Sequence, residues 1–130
     1  LSQYIDGLSE NWPLDQREFL TESLLPENQG ILPLLEHVAW QTPLPIALDL
    51  VRNQALIDHT DTVRELVIPV LAAYSRQDPY WPIELAHWIG KNARHGSVHT
   101  FLGSAHCPPL EEPAEFAHVV AEFSRKVVNV

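Results

Sequence analysis

The sequence predicts an α/β fold: a helical stretch followed by two parallel strands and their helices, part of a sheet larger than the chain itself supplies. Three observations carry this expectation. Residues 67–74, Val-Ile-Pro-Val-Leu-Ala-Ala-Tyr, are apolar at nearly every position without alternation, as suits a strand buried on both faces in a parallel sheet. A helical pattern and a second β-type run at 97–102 follow, in the order of a βαβ unit. Each run then opens into a loop with one chemistry-bearing residue, Asp78 and His106, and parallel sheets gather such loops at the carboxyl ends of their strands.

The elements follow in order. Pro13 and Asp15 open a segment in which Phe19, Leu20, Leu24 and Leu25 form an apolar stripe at helical spacing. The sequence Pro26-Glu27-Asn28-Gln29-Gly30 punctuates it. A second helix is predicted over 34–40. Thr42-Pro43 reads as an N-cap and first-turn proline for a third helix, 44–57, with Leu44, Leu48, Val51 and Ala55 on one face. Residues 58–65 form a polar connector with room for a short helical turn. After the strand at 67–74, with Pro69 tolerable only near its start, come a helix at 83–93 and the strand at 97–102. A final helix at 114–127 shows Phe116, Val119, Val120, Phe123 and Val127 on one face. The organisation is therefore 1–62 as helices and 63–130 as the end of an α/β core.

Composition limits the function. With 130 residues, 45% of them apolar and 19% charged, the chain is in the range of one globular domain. Its formal net charge of −9 argues against a nucleic-acid partner, which needs a basic patch. One cysteine, Cys107, permits no internal disulfide, so nothing marks the chain as secreted. No leader peptide is visible and no apolar run approaches the ~20 residues that span a membrane, so a cytoplasmic location is expected. The chain lacks methionine, and a cleaved or separately produced portion of something longer is the matching expectation.

Asp78 heads an Asp-Pro pair, a common turn initiator, so a turn role and a catalytic role both fit it. His106 follows Gly103-Ser104-Ala105, small residues that let a ring swing toward a reacting group. An acid on one loop and a histidine on the next can form an acid–base pair in which the carboxylate holds the imidazole tautomer. The other histidines show no metal-ligand spacing, and neither metal nor cofactor is expected. Cys107 and Ser104 are too near His106 in sequence to face its ring as nucleophiles; Cys107 reads as a small apolar filler.

The Asp78-Pro79 loop, the Gly103-x-x-His106 loop and the Glu111-Glu112-Pro113 sequence together resemble the C-terminal half of an α/β-hydrolase-fold protein, in the style of small esterases, perhydrolases and cofactor-free haloperoxidases. The resemblance is specific over 63–130 and loose over 1–62, which would be a helical cap. It implies Asp78 as triad acid and His106 as triad base, with Glu111 and Glu112 opening the last helix. It also implies Trp40, Trp81, Leu24 and Leu25 as candidate pocket walls for an apolar or aromatic substrate; ordinary packing explains each of these four as well. No G-x-S-x-G nucleophile elbow occurs in the sequence, although the family places one before the acid and the histidine.

The implied function is a serine-type hydrolase of esters or lactones, with nucleophile and oxyanion hole supplied by an N-terminal half in another segment or chain. The chain alone would be inactive. The same Asp–His pair also serves haloalkane dehalogenases and epoxide hydrolases with an aspartate nucleophile, cofactor-free dioxygenases and lyases, and non-catalytic receptors that keep the fold.

Two strands cannot cover both faces of residues 67–74 or satisfy their free edge. Residues 1–130 alone are therefore expected to be molten or promiscuously oligomeric, becoming monodisperse only with a segment contributing the remaining strands. Amide hydrogen exchange on the isolated chain checks this; a compact monomer strongly protected across 67–74 would overturn it.

Overall fold

A computed structural model describes residues 2–54 and 56–128. The element order is α1 (Ser2–Glu22), a 3₁₀ helix (Pro26–Ile31), α2 (Leu32–Ala39), α3 (Leu44–Gln54), α4 (Thr60–Glu65), β1 (Val70–Ser75), α5 (Ile83–Asn92), β2 (Gly96–Phe101), α6 (Pro108–Glu111) and α7 (Pro113–Val128). The chain divides into two compact units, Leu1–Asp58 and His59–Val130.

The first unit is helical. α1 is kinked at Asn11, whose φ of −146° and ψ of 55° leave the helical region. Pro13, two residues on, has no N–H for the carbonyl one turn back, so the break falls just ahead of it. Beyond the kink, Gln16, Leu20 and Leu24 are buried, together with Leu32 at the start of α2. The segment read as punctuation is a 3₁₀ helix, and Gln29 within it donates Nε2 to the carbonyls of Thr21 (2.9 Å) and Leu24 (3.2 Å). These bonds add acceptor partners at the end of α1, where the Thr21 carbonyl also accepts the Leu24 N–H at 3.3 Å. Pro43, rather than Thr42, precedes the first residue of α3: its carbonyl accepts the N–H groups of Ile46 and Ala47. α3 ends at Gln54, short of the expected 57. Leu44, Leu48 and Val51 are half-buried, and Ala55 lies outside the described residues.

The second unit holds the sheet. β1 and β2 are parallel, in register from Val70 opposite Gly96 to Ser75 opposite Phe101, and α5 is the crossover that parallel strands require. The strand expected at 67–74 is corrected to Val70–Ser75; Val67 and Ile68 are 67% and 59% exposed. Pro69 brings no N–H to the ladder, so pairing begins immediately after it, with the Val70 N–H donating to the His95 carbonyl at 3.0 Å. β2 is displaced by one residue from 97–102, and Leu102 is exposed. Within β1, Ala72 and Ser75 are buried and the other residues half-buried. Among the described residues β1 pairs with β2 alone.

The faces of β2 separate by the two-residue period of a strand. On one face Val98 meets α5 at Gly90. On the other, Phe101, 1% exposed, stacks on Phe116 of α7 with centroids 5.8 Å apart, and His99 Nε2 lies 3.5 Å from Glu115. Of the residues read onto the inner face of α7, Val119 is buried and Phe116, Phe123 and Val127 are half-buried, but Val120 is exposed. Trp88 on α5, read as core, is half-buried beneath the Arg64 guanidinium, 5.5 Å from its ring centroid. No helix among the described residues is long and apolar enough to cross a membrane.

α5 approaches β2 closely because Gly90 and Gly96 face each other. A Cβ on Gly96 would collide with the Gly90 backbone, whereas a Cβ on Gly90 would first meet the Val98 side chain. Backbone cannot yield as a side chain can. Gly96→Ala is expected to lower stability by ~1–3 kcal/mol through overpacking. Gly90→Ala is expected to cost less, because alanine contributes up to ~1 kcal/mol of helix propensity. Urea midpoints of the two variants in the assembled protein check this, and a reversed order would show that the glycine contact does not set the helix–strand distance.

Candidate active site

Both functional loops leave the same end of the sheet. The Arg76 N–H donates to the Phe101 carbonyl at 2.9 Å, and Gln77 Nε2 to the Leu102 carbonyl at 3.0 Å. These bonds carry the pairing of β1 and β2 past the last ladder residues and hold the two loop bases together. From there Asp78 and His106 meet: His106 Nδ1 lies 2.9 Å from Asp78 Oδ2.

Asp78 divides its two oxygens between two tasks. Oδ1 accepts the backbone N–H groups of Tyr80 (2.8 Å) and Trp81 (3.1 Å), which is the turn role expected of Asp-Pro. Oδ2 holds His106. The carboxylate side chain is 8% exposed and the imidazole 29%. With the carboxylate as acceptor, Nδ1 carries the proton of the neutral ring and Nε2 the lone pair. Tyr80 sets its ring edge-on to His106, centroids 5.2 Å apart and planes at 87°. The turn that Asp78 organises thus also brings Tyr80 against the imidazole.

The histidine loop is tied down by groups that the sequence reading placed elsewhere. Glu111 and Glu112 were expected to open the last helix. Glu112 does so with its backbone, its carbonyl accepting the Phe116 N–H at 2.8 Å ahead of α7, while Glu111 ends α6; both carboxylates turn back into the loop. Glu111 Oε1 accepts the N–H groups of Ala105 (2.9 Å) and Cys107 (3.2 Å). Glu112 Oε2 accepts the Ser104 hydroxyl at 2.8 Å, and the Ser75 and Ser104 hydroxyls are 2.8 Å apart. Since Ser104 gives its one proton to the carboxylate, Ser75 donates to Ser104. Both serines are almost wholly buried, so this chain of bonds satisfies hydroxyls that would otherwise be costly. The available signal was two acids shortly after the histidine, separated from it by the helix-starting Pro108-Pro109 pair. Its direction depended on the fold of α6.

The remaining site candidates divide between the units. Trp81, on the Asp78 turn, is 45% exposed. Trp40, Leu24 and Leu25 belong to the first unit: Trp40 is exposed, Leu24 buried and Leu25 half-buried. Among the described residues no three His, Cys, Asp or Glu side chains converge as metal ligands.

Negative charge and burial act on the neighbours of the pair. Burial, and then the Asp78 carboxylate, raises the Tyr74 hydroxyl above its ordinary pKa. Cys107 is half-buried, and burial, Glu111 and Asp78, in that order, push its thiol up. An activated cysteine has the opposite shift.

No family model matches the chain. A pimeloyl-acyl-carrier-protein methyl ester esterase of Vibrio vulnificus is 25% identical over 131 residues, covering 97% of this chain and 51% of the relative. The enzyme of that description from Aliivibrio fischeri is 23% identical over 128 residues, covering 95% and 50%. The chain thus spans about half the length of these relatives. Among solved structures, an esterase from Exiguobacterium antarcticum superposes with a TM-score of 0.86 at 15% identity, over 95% of this chain and 47% of that one. A 2-hydroxy-6-oxo-6-phenylhexa-2,4-dienoate hydrolase from a Rhodococcus strain gives 0.70 at 19% identity, over 93% and 47%.

The raised Cys107 thiol generates a pH prediction. A thiol with an elevated pKa holds less reactive thiolate at neutral pH than a free cysteine. Iodoacetamide labelling of Cys107 in the assembled protein is therefore expected to have its rate midpoint above the free-thiol value of about 8.5. A midpoint at or below that value would mark an activated thiol.

Proposed function

The chain is the C-terminal half of an α/β-hydrolase fold, and we propose that on this frame it supplies the acid and the base of a serine-type hydrolase of carboxylic esters or lactones. The observation that carries the reading is the 2.9 Å contact of His106 Nδ1 with Asp78 Oδ2 at the carboxyl ends of adjacent parallel strands. The names of the relatives, methyl ester esterases and an esterase, support the ester class.

In this reading an N-terminal half, in the same polypeptide or a second one, completes the sheet and brings a serine on a strand-to-helix turn to His106. The serine Oγ attacks the ester carbonyl carbon while its proton passes to Nε2. Asp78 stabilises the imidazolium, and backbone N–H groups of the other half stabilise the oxyanion. The intermediate collapses, the carbon–oxygen bond to the alcohol breaks, and His106 protonates the leaving oxygen. His106 then takes a proton from water as the water oxygen attacks the acyl carbon; the acyl carbon–Oγ bond breaks, His106 returns the proton to the serine Oγ, and the acid leaves. Trp81, exposed beside the Asp78 turn, offers an apolar face to an apolar or aromatic substrate.

The test uses the protein with both halves present and p-nitrophenyl acetate and butyrate as substrates. His106→Ala is expected to lower kcat by several orders of magnitude, since triad members act as a unit. Asp78→Asn is expected to cost on the order of 10⁴-fold, the loss known when a triad acid becomes an amide. A fluorophosphonate probe is expected to label a serine of the N-terminal half. Near-normal turnover by His106→Ala would remove the proposal. Haloalkane or epoxide turnover without fluorophosphonate labelling would transfer it to an aspartate nucleophile.

A further inference from the structure

The histidine loop poses a mechanical problem. It begins with Gly103, the residue with the greatest backbone freedom, and runs into α6, a helix of only 4 residues. For proton transfer the imidazole must stay within hydrogen-bond reach of both its carboxylate and the reacting group. The contact with Asp78 fixes one edge of the ring and the Tyr80 ring lies against it. Both contacts act on the ring.

Glu111 holds the loop backbone. One carboxylate oxygen accepts the N–H of the residue before His106 and the N–H of the residue after it, at 2.9 Å from Ala105 and 3.2 Å from Cys107. Hydrogen bonds to a carboxylate are roughly twice as strong as neutral ones, and two converging on one oxygen pin the Ser104–Ala105 and His106–Cys107 peptide groups, which bracket the backbone carrying the His106 side chain. α6 itself aims the side chain: Glu111 donates its N–H to the Cys107 carbonyl at 3.0 Å, so acid and loop are closed into one helical turn. Glu112 anchors the loop further back, through Ser104, and leaves those two peptide groups to Glu111.

We propose that Glu111 is a positioning residue for His106, clamping the two flanking amides so that Nε2 meets the scissile ester and its nucleophile in one fixed orientation. The inference rests on the reading of His106 as the general base. A displacement of about 1 Å at a reacting group costs on the order of 10²-fold in rate, which sets the size of the effect.

The experiment uses the protein with both halves present. Glu111→Ala is expected to lower kcat for p-nitrophenyl butyrate by about 10- to 100-fold, with KM changed by less than about threefold. Glu111→Gln keeps an acceptor oxygen at the same reach and is expected to retain most of the rate. Glu111→Asp keeps the charge but is one methylene too short to span both amides, and is expected to behave like alanine; it decides the matter if the alanine variant does not fold. In a His106→Ala background, Glu111→Ala is expected to change the residual rate by less than about twofold, because effects that act through one residue do not add. The Nδ1–H proton resonance of His106, observed by NMR, is expected to broaden or vanish in the alanine and aspartate variants and to persist in the glutamine variant. Wild-type kcat in both the alanine and aspartate variants would overturn the proposal, as would an equal loss with and without His106. If the intact protein hydrolyses no ester, the function above fails while the resonance still decides the clamp, an unchanged signal in Glu111→Asp refuting it.

Discussion

The parallel register of β1 and β2 is the constraint on which the site depends. Because Ser75 stands opposite Phe101, the two strands end level, and their loops start side by side at one edge of the sheet. The pairing continues through Arg76 and Gln77, so the loops diverge only after their bases are joined. An antiparallel pair would send the two loops to opposite ends and separate Asp78 from His106 by the length of a strand. The crossover helix α5 enforces the parallel arrangement, and its contact with β2 at Gly90 and Gly96 sets how closely it lies.

Above that edge, a few carboxylates organise a large share of the polar groups. Asp78 locks its own turn with one oxygen and orients the imidazole with the other. Glu111 and Glu112 return from the far side of the histidine loop to its amides and to the buried Ser104. Several carboxylates near one imidazole make a locally negative environment. The raised Cys107 thiol, to which both Glu111 and Asp78 contribute after burial, follows from it. Such a setting disfavours a thiolate beside the imidazole.

Asp78 also resolves a choice that its sequence context leaves open. Asp-Pro suits a turn, and an acid after a parallel strand suits catalysis. The turn and the contact with the imidazole coexist because a carboxylate presents two oxygens, each able to accept more than one hydrogen bond. Glu111 shows the converse. Its position after Pro108-Pro109 fits a helix opening, and the short α6 reverses its direction so that it faces the loop it follows.

The sequence by itself determined the βαβ order, the half-sheet character and the two residues that meet. These depend on local signals: an unbroken apolar run, helical periodicity in α5 and α7, and small residues before His106. Strand limits were less legible, since Val67 and Ile68 have strand-like side chains but lie beyond Pro69, whose missing N–H ends the pairing. Val120 was misplaced on α7 for a related reason: an apolar stripe predicts a face, but the width of the covered part is set by the neighbouring strand, where Phe101 meets Phe116. Only the tertiary structure decided the directions of Glu111 and Glu112, the pairing of Ser75 with Ser104 across 29 residues, and the approach of Tyr80 to the imidazole. Each is a contact between segments distant in sequence or turned by a short helix, and composition or periodicity carries no information about where a polar side chain points once the chain has folded back upon itself.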